Sequence, residues 1–373
     1  MKPVRVGVVC DFAEERWPSM DLIADMLLDA LPAAANGDVV ASRLQPPLPR
    51  RWTRLPLAGR TSRAQLADRL MGRYWDYPSW LTTHASSFDV FHIVDHSYAH
   101  LASGLPAGRA IVTCHDLDAV RAALPTAQKR FDPERLLARR ILAGLGVAGH
   151  ISCVSQATKT ELMASGAADS QRVSVVYEGV HPSCTPGPQT AAGDILLHVG
   201  STIPRKRIDV LLEMFSGLRQ VAPALRLARV GGPLTPQQRA LAATLGVLDA
   251  VDEMPCLDRP QLAELYRRAA LVLLPSDREG FGLPLVEAMA CGTPVVASAI
   301  PALQEIGGDA AVYCPPGQAA AWVETVKTLL RQRTNDPEVW ETRRAACLRN
   351  AARFNWNTYA AEMTKLYLQI GRQ

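Results

Sequence analysis

The run AALVLLPSDREGFGLPLVEAMACGTPVVAS, residues 269–298, decides the fold. Its opening, AALVLLP (269–275), is short and apolar, as a buried parallel strand is. Residues 283–291 then carry a helical pattern, and TPVVAS (293–298) returns to strand. Between strand and helix stands DREGFG (277–282), whose two glycines let the backbone turn tightly. Strand, polar loop, helix and strand together form one β-α-β unit.

The same alternation extends outward. DILLHV (194–199) and LRLARV (225–230) belong to this series, with helical stretches at 207–221, 236–246 and 258–268. An earlier series comprises VRVGVVC (4–10), DVFHIVD (89–95), RAIVTCH (109–115), HISCVS (150–155) and RVSVVY (172–177). Helices are expected between some of them, at 132–146 and 156–165. Two such series imply an α/β protein of two doubly wound Rossmann-like domains facing across a cleft. HPSCTPGPQTAAGD (181–194) has no periodicity and reads as the linker. The expected domains are 1–188 and 189–355. The last residues, 356–373, carry Trp356, Tyr359, Met363, Leu366 and Tyr367 at helical spacing, and are expected to dock on the first domain.

Composition agrees. At ~150 residues per domain, 373 residues suit two ordinary domains, and 48% hydrophobic residues exclude disorder. No apolar run approaches the ~18 residues of a membrane-spanning helix. The N-terminus, MKPVRVGVVCDF, has a short apolar stretch cut by Asp11 and reads as a strand, not a signal peptide. Eight cysteines, none closer than 23 residues to the next, form no C-x-x-C pair, which argues against a zinc site. Most lie in apolar runs, as buried free thiols of a cytoplasmic protein do. A net charge of +4 is too mild to demand nucleic acid. Between Arg43 and Arg73, however, eight arginines stand against one acid, Asp68, with Trp52, Tyr74 and Trp75 in or beside the stretch. Either this is a solvated face, or it meets an anionic lipid or acceptor.

Ligands of open α/β sheets bind at the carboxyl ends of strands. Three polar clusters fall there: His115 and Asp116; Gly200, Ser201, Arg205 and Lys206; and Asp277 to Gly280. One cleft would collect all three. Amide groups at the helix start near Leu283 suit a phosphate. Glu279 is either a helix-dipole carboxylate or a ligand group. Glu287, among Leu285, Val286, Ala288 and Met289, is expected to be enclosed and to need a partner.

The segment from Glu279 to Val296 resembles the Glu–seven residues–Glu signature of retaining GT-B-fold glycosyltransferases of family four, also called glycosyltransferase group 1. The resemblance extends through HVGSTIPRKRIDVLLEMF (198–215), VGGPLTPQQ (230–238) and PALQEIGGDAAVY (301–313). In the first half, DVFHIVDHSYAHL (89–101), VTCHDL (112–117), CVSQATKTEL (153–162) and VVYEGV (175–180) are similar to it as well. The resemblance implies a metal-independent transfer of a hexose, with retention, from a UDP- or GDP-sugar to a hydroxyl acceptor. It gives Glu279 the sugar 3-hydroxyl and Glu287 the ribose. Arg205 and Lys206 would take the diphosphate, with Gly200 and Ser201 in the same loop. Amides around Gly280, Phe281, Gly282 and Leu283 would face sugar and diphosphate, and His115 would lie beside the donor sugar.

Two departures stand out. Ser201 occupies a position where many members carry Arg, which leaves that task to Arg205. The loop after the first strand, DFAEERWPSMD (11–21), has no glycine. Acceptor contacts there would come from Glu14, Glu15, Arg16 or Trp17, with His96 and Asp116 further along. The expected partners are a nucleotide sugar and a glycan or lipid-linked acceptor, in polysaccharide or glycolipid assembly. Localisation is expected to be cytoplasmic, with peripheral contact at the inner membrane face. No bound cofactor, metal or nucleic acid is expected. Two rivals stand beside this reading: a nucleotide-sugar epimerase on the same fold, and a non-catalytic nucleotide-sugar-binding subunit.

Overall fold

A computed structural model describes residues 2–55, 61–123, 133–187 and 195–372. The chain divides into two compact units, Met1–Gly179 with Trp356–Gln373, and Val180–Asn355. The division falls before the boundary read at 188. The described part of the linker explains this: Arg267 Nη1 reaches the Ser183 and Thr185 carbonyls, and Val180 N donates to Phe354 O, so 180–185 is tied to the second unit. Residues 188–194 lie outside the described residues.

The first unit is built on six strands: β1 (Val4–Val9), β2 (Val39–Leu44), β3 (Val90–Ile93), β4 (Ala110–Cys114), β5 (His150–Cys153) and β6 (Val173–Val175). All are parallel, in the order β2-β1-β3-β4-β5-β6. The second unit holds β7 (Ile195–Val199), β8 (Arg226–Val230), β9 (Val251–Met254), β10 (Leu271–Leu274), β11 (Val295–Ser298) and β12 (Val312–Cys314). These are also parallel, ordered β12-β11-β10-β7-β8-β9. In each sheet the order reverses once, between β1 and β3 in the first and between β7 and β10 in the second. The central strands are buried along their length, as in AIVTC of β4 and LVLL of β10. Both faces of such strands are covered, so they read as continuous apolar runs.

The strands that the sequence reading leaves out are β2, β9 and β12. Each lies at a sheet edge, and each is only partly buried. An edge strand is free to carry polar side chains, so VVASRL and VDEM lose the apolar signature.

The helix Trp356–Gly371 buries Trp356, Tyr359, Met363, Tyr367 and Ile370, a stripe at helical spacing, against the helix Pro18–Ala35 and β1. Its Tyr367 hydroxyl lies 2.7 Å from His92 Nδ1, and His92 Nε2 lies 2.7 Å from Thr113 Oγ1. Burial pushes the His92 pKa down to about 3, so the ring is neutral and can donate on one side and accept on the other. This chain of contacts pins the last helix to β3 and β4. Tyr367→Phe should leave a buried ring nitrogen unpaired and destabilise the first unit by about 1–3 kcal/mol. Urea unfolding followed by circular dichroism measures it; an unchanged midpoint would show that the hydroxyl holds nothing.

Candidate functional site

The reversal point of the second sheet brings two loops side by side. One leaves β7 through Gly200 and Ser201 and ends in the short turn Pro204–Lys206. The other leaves β10 and reaches the helix Leu283–Ala290. They are laced together. Asp277 N donates to Arg205 O at 2.8 Å, Arg205 Nη1 donates to Arg278 O at 2.9 Å, and Arg207 pairs with Asp277 at 3.0 Å.

Glu279 is the centre of this lacing. Lys206 Nζ donates to its Oε1 at 2.6 Å, Arg205 Nη1 to Oε2 at 2.8 Å, and Ser276 Oγ to Oε1 at 2.7 Å. Burial alone would raise its pKa. Lys206, then Arg205, outweigh that and bring it down to about 2. Glu279 is therefore an anion, able only to accept. The cations in turn are held in place, with Lys206 itself buried.

Beneath the first loop lies a charge that the sequence reading missed. Arg229, on β8, is fully buried, and its guanidinium donates to the carbonyl oxygens of Gly200 (3.0 Å) and Gly232. His198, on β7, is fully buried beside it. The signal was present: a basic residue inside the otherwise apolar run LRLARV, and a histidine inside DILLHV. Gly231 allows the close fit, since a Cβ there would stand 2.3 Å from Gly200 O.

At the start of the second loop's helix, Gly282 takes φ 94°, a left-handed conformation that suits glycine, and a Cβ there would meet Leu303 at 2.6 Å. Phe281 turns inward onto Phe354, ring centroids 5.5 Å apart and edge to face. Leu283 opens the helix half-buried. Glu287 lies within it, 2% exposed. Arg259 Nη1 donates to its Oε1 at 3.0 Å and Tyr266 Oη to its Oε2 at 2.9 Å. These two partners were not foreseen.

In the first unit, His96, His115 and Asp116 come together at the ends of β3 and β4. His96 lies 3.4 Å from Asp95 and 3.5 Å from Asp116. His115 faces Val94 O and Glu178. Glu14, Arg16 and Trp17 occupy the loop after β1, all exposed, with Trp17 at 50%. Glu15, between them, is not available as they are: its side chain is 1% exposed and pairs with Arg69 at 3.3 Å, and Asp11 at the start of the loop is also buried. Among the described residues, no group of three or more His, Cys, Asp or Glu is arranged to hold a metal ion.

Two family models match the chain: glycosyl transferases group 1 over residues 190–351, and glycosyltransferase family 4 over residues 24–183. D-inositol 3-phosphate glycosyltransferase of Frankia alni is 31% identical over 335 residues, covering 78% of this chain and 80% of that protein. The enzyme of the same description from Thermobispora bispora is 34% identical over 221 residues, 53% of this chain. The chain spans about half the length of that relative, 51%. Among solved structures, sucrose-phosphate synthase from Thermosynechococcus elongatus superposes with a TM-score of 0.76 at 21% identity, covering 98% of this chain and 99% of that one. HepE of Anabaena, in complex with UDP and glucose, gives 0.72 at 15% identity, with 97% and 99% covered. The chain belongs to the group 1 glycosyltransferases of the GT-B fold.

The buried triad has a pH signature. A carboxylate whose folded pKa is depressed contributes stability above its unfolded value, near 4.5, and loses it as pH falls toward 2. At about 1.4 kcal/mol per unit, Glu279 accounts for ~3 kcal/mol. The stability gap between the wild type and Glu279→Gln should therefore shrink from about pH 6 to about pH 3. Urea titrations at both values test it; a constant gap would mean that the ion pairs do not hold Glu279 charged.

Proposed function

We propose that this chain transfers a hexose from a nucleoside-diphosphate sugar, a UDP- or GDP-sugar, to a hydroxyl acceptor with retention at the anomeric carbon. The observation that carries this is the pairing of Arg205 and Lys206 with an ionised Glu279 at the reversal point of the second sheet. Open α/β sheets bind ligands at that point. Family membership supports the reading, and so does the UDP bound by HepE.

Each group has a task suited to its chemistry. Arg205 and Lys206 meet the diphosphate, the guanidinium as a fork and the ammonium as a point charge. As the glycosidic bond breaks, negative charge grows on the leaving diphosphate. Fixed cations already in place stabilise it without reorganising. With two side-chain cations given the diphosphate, the proposed reaction is read as metal-independent. Arg229 adds a permanent positive charge behind the Gly200 loop. Glu279, being charged, accepts from a sugar hydroxyl. Glu287 accepts from the ribose, its carboxylate oriented by Arg259 and Tyr266. The amides from Gly280 to Leu283 face sugar and diphosphate. His115 takes the sugar-side role that the family resemblance implies. The acceptor hydroxyl attacks from the face that the diphosphate leaves, and its proton passes to the diphosphate. No protein nucleophile takes part.

Lys206→Ala should lower turnover about a hundredfold, the usual cost of one such donor, with a smaller effect on donor binding. The variant lacking Arg205 as well should be nearly inactive yet folded. Steady-state kinetics with UDP- and GDP-sugars, with the product's anomeric configuration read by NMR, tests the reading. Inversion, or wild-type turnover in both variants, would overturn it.

The acceptor is proposed to be glycan or lipid-linked, met at the cytoplasmic membrane face. The segment 52–75 supports this, since it exposes Trp52, Leu66, Leu70, Met71 and Trp75, the last at 69%, among its arginines. Part of the arginine-rich stretch, 56–60, lies outside the described residues. Exposed tryptophans beside arginines suit the interface of an anionic bilayer. Among the described residues, no helix is long and apolar enough to cross a membrane. Flotation with phosphatidylglycerol vesicles at low salt should carry the protein upward, and Trp75→Ala/Leu70→Ala should weaken this. Protein left at the bottom would mean that the face is simply solvated.

A further inference from the structure

We propose that Glu178 is a positioning residue that holds His115 as an imidazolium, in one orientation, at the end of β4. His115 follows β4 and Glu178 follows β6, so only the folded sheet brings them together. His115 Nε2 lies 2.7 Å from Val94 O. Its Nδ1 lies 3.0 Å from Glu178 Oε1, as an ion-pair contact rather than an aligned hydrogen bond.

The Val94 carbonyl only accepts, and so does Glu178 Oε1 as a carboxylate. A neutral imidazole has one N–H and one lone pair. In one neutral tautomer a lone pair would face Val94 O across 2.7 Å, and in the other Nδ1 would set a lone pair 3.0 Å from the carboxylate. The doubly protonated ring donates from Nε2 to Val94 O and sets its positive charge beside the Glu178 carboxylate. The surroundings agree: Glu178 is 2% exposed and faces the ring, and Asp95 is buried nearby. The other titratable groups around it are His96 (ring centroids 6.1 Å away), His92 and Asp116. Burial works against the charge on His115, but Glu178 and then Asp95 outweigh it and raise its pKa to about 9.

The consequence is chemical. With both ring nitrogens committed, His115 offers a fixed positive charge, not a nitrogen that removes a proton. It is therefore not the base for the acceptor hydroxyl, which suits a reaction in which the leaving diphosphate takes that proton. The inference rests on the sugar-side role proposed for His115, and its test separates the two.

Histidine side-chain nitrogen NMR on the full chain reads the charge directly, with His115 assigned by its absence in His115→Gln. In the wild type both nitrogens should be protonated at about pH 7.5, well above the ordinary titration range. In Glu178→Gln the ring should titrate at least two units lower, because burial is then poorly opposed. Glu178→Asp should restore part of the shift. Turnover of the wild type should stay level as pH rises from about 6 to about 8, while Glu178→Gln should lose turnover over that range and recover it in acid. Circular dichroism checks folding, and the wild-type spectrum decides even where the Gln variant does not fold. A single neutral tautomer in the wild type, or an unmoved titration in a folded Glu178→Gln, would overturn the proposal. A shifted titration with turnover indifferent to pH would uphold the pairing and remove the role given to His115.

Discussion

A carboxylate taken out of water must be met by cations or give up its charge. At Glu279 it is met by Lys206 and Arg205, which come from the other loop at the reversal point of the second sheet. The remaining features of that region follow from this pairing. Ser276 fills the oxygen that Lys206 shares, and Asp277 binds both the backbone of Arg205 and the side chain of Arg207. The loops cannot separate without leaving a buried ion unpaired, a cost of roughly 3–5 kcal/mol. The cations are thereby held in fixed positions.

Arg229 shows the same economy by different means. It is fully buried, and its two Nη groups donate to backbone carbonyls of glycines. Carbonyl oxygens solvate a guanidinium without cancelling its charge, and Glu253 is the acid that acts on it. Glu287 is the converse case. Its charge is met by Arg259 and its geometry is set by Tyr266, leaving a carboxylate of fixed direction.

The first unit uses histidine where the second uses arginine and lysine. His92 is buried between two hydroxyls and is neutral, so it serves the framework. His115, within the same sheet region, is held between a carbonyl and a carboxylate and is charged. One residue type takes opposite states because the neighbours differ: hydroxyls accommodate a neutral ring, while a buried carboxylate demands a proton.

The amino-acid sequence by itself determined the central strands, the helices between them and the signature from Glu279 to Val296. These depend on local periodicity and short spacing, which a chain carries whatever its partners. It left out β2, β9 and β12, because edge strands escape the double-sided burial that writes an apolar run. Lys206 and Glu279 were each legible as candidates, but their contact was not, since 73 residues separate them. Arg229 was visible only as an oddity in an apolar strand, and Glu178 not at all. Its role arises from β4 and β6 lying two strands apart in one sheet. The charge states of Glu279, His92 and His115 likewise belong to the tertiary structure, because a pKa is set by burial and by neighbours brought from distant parts of the chain.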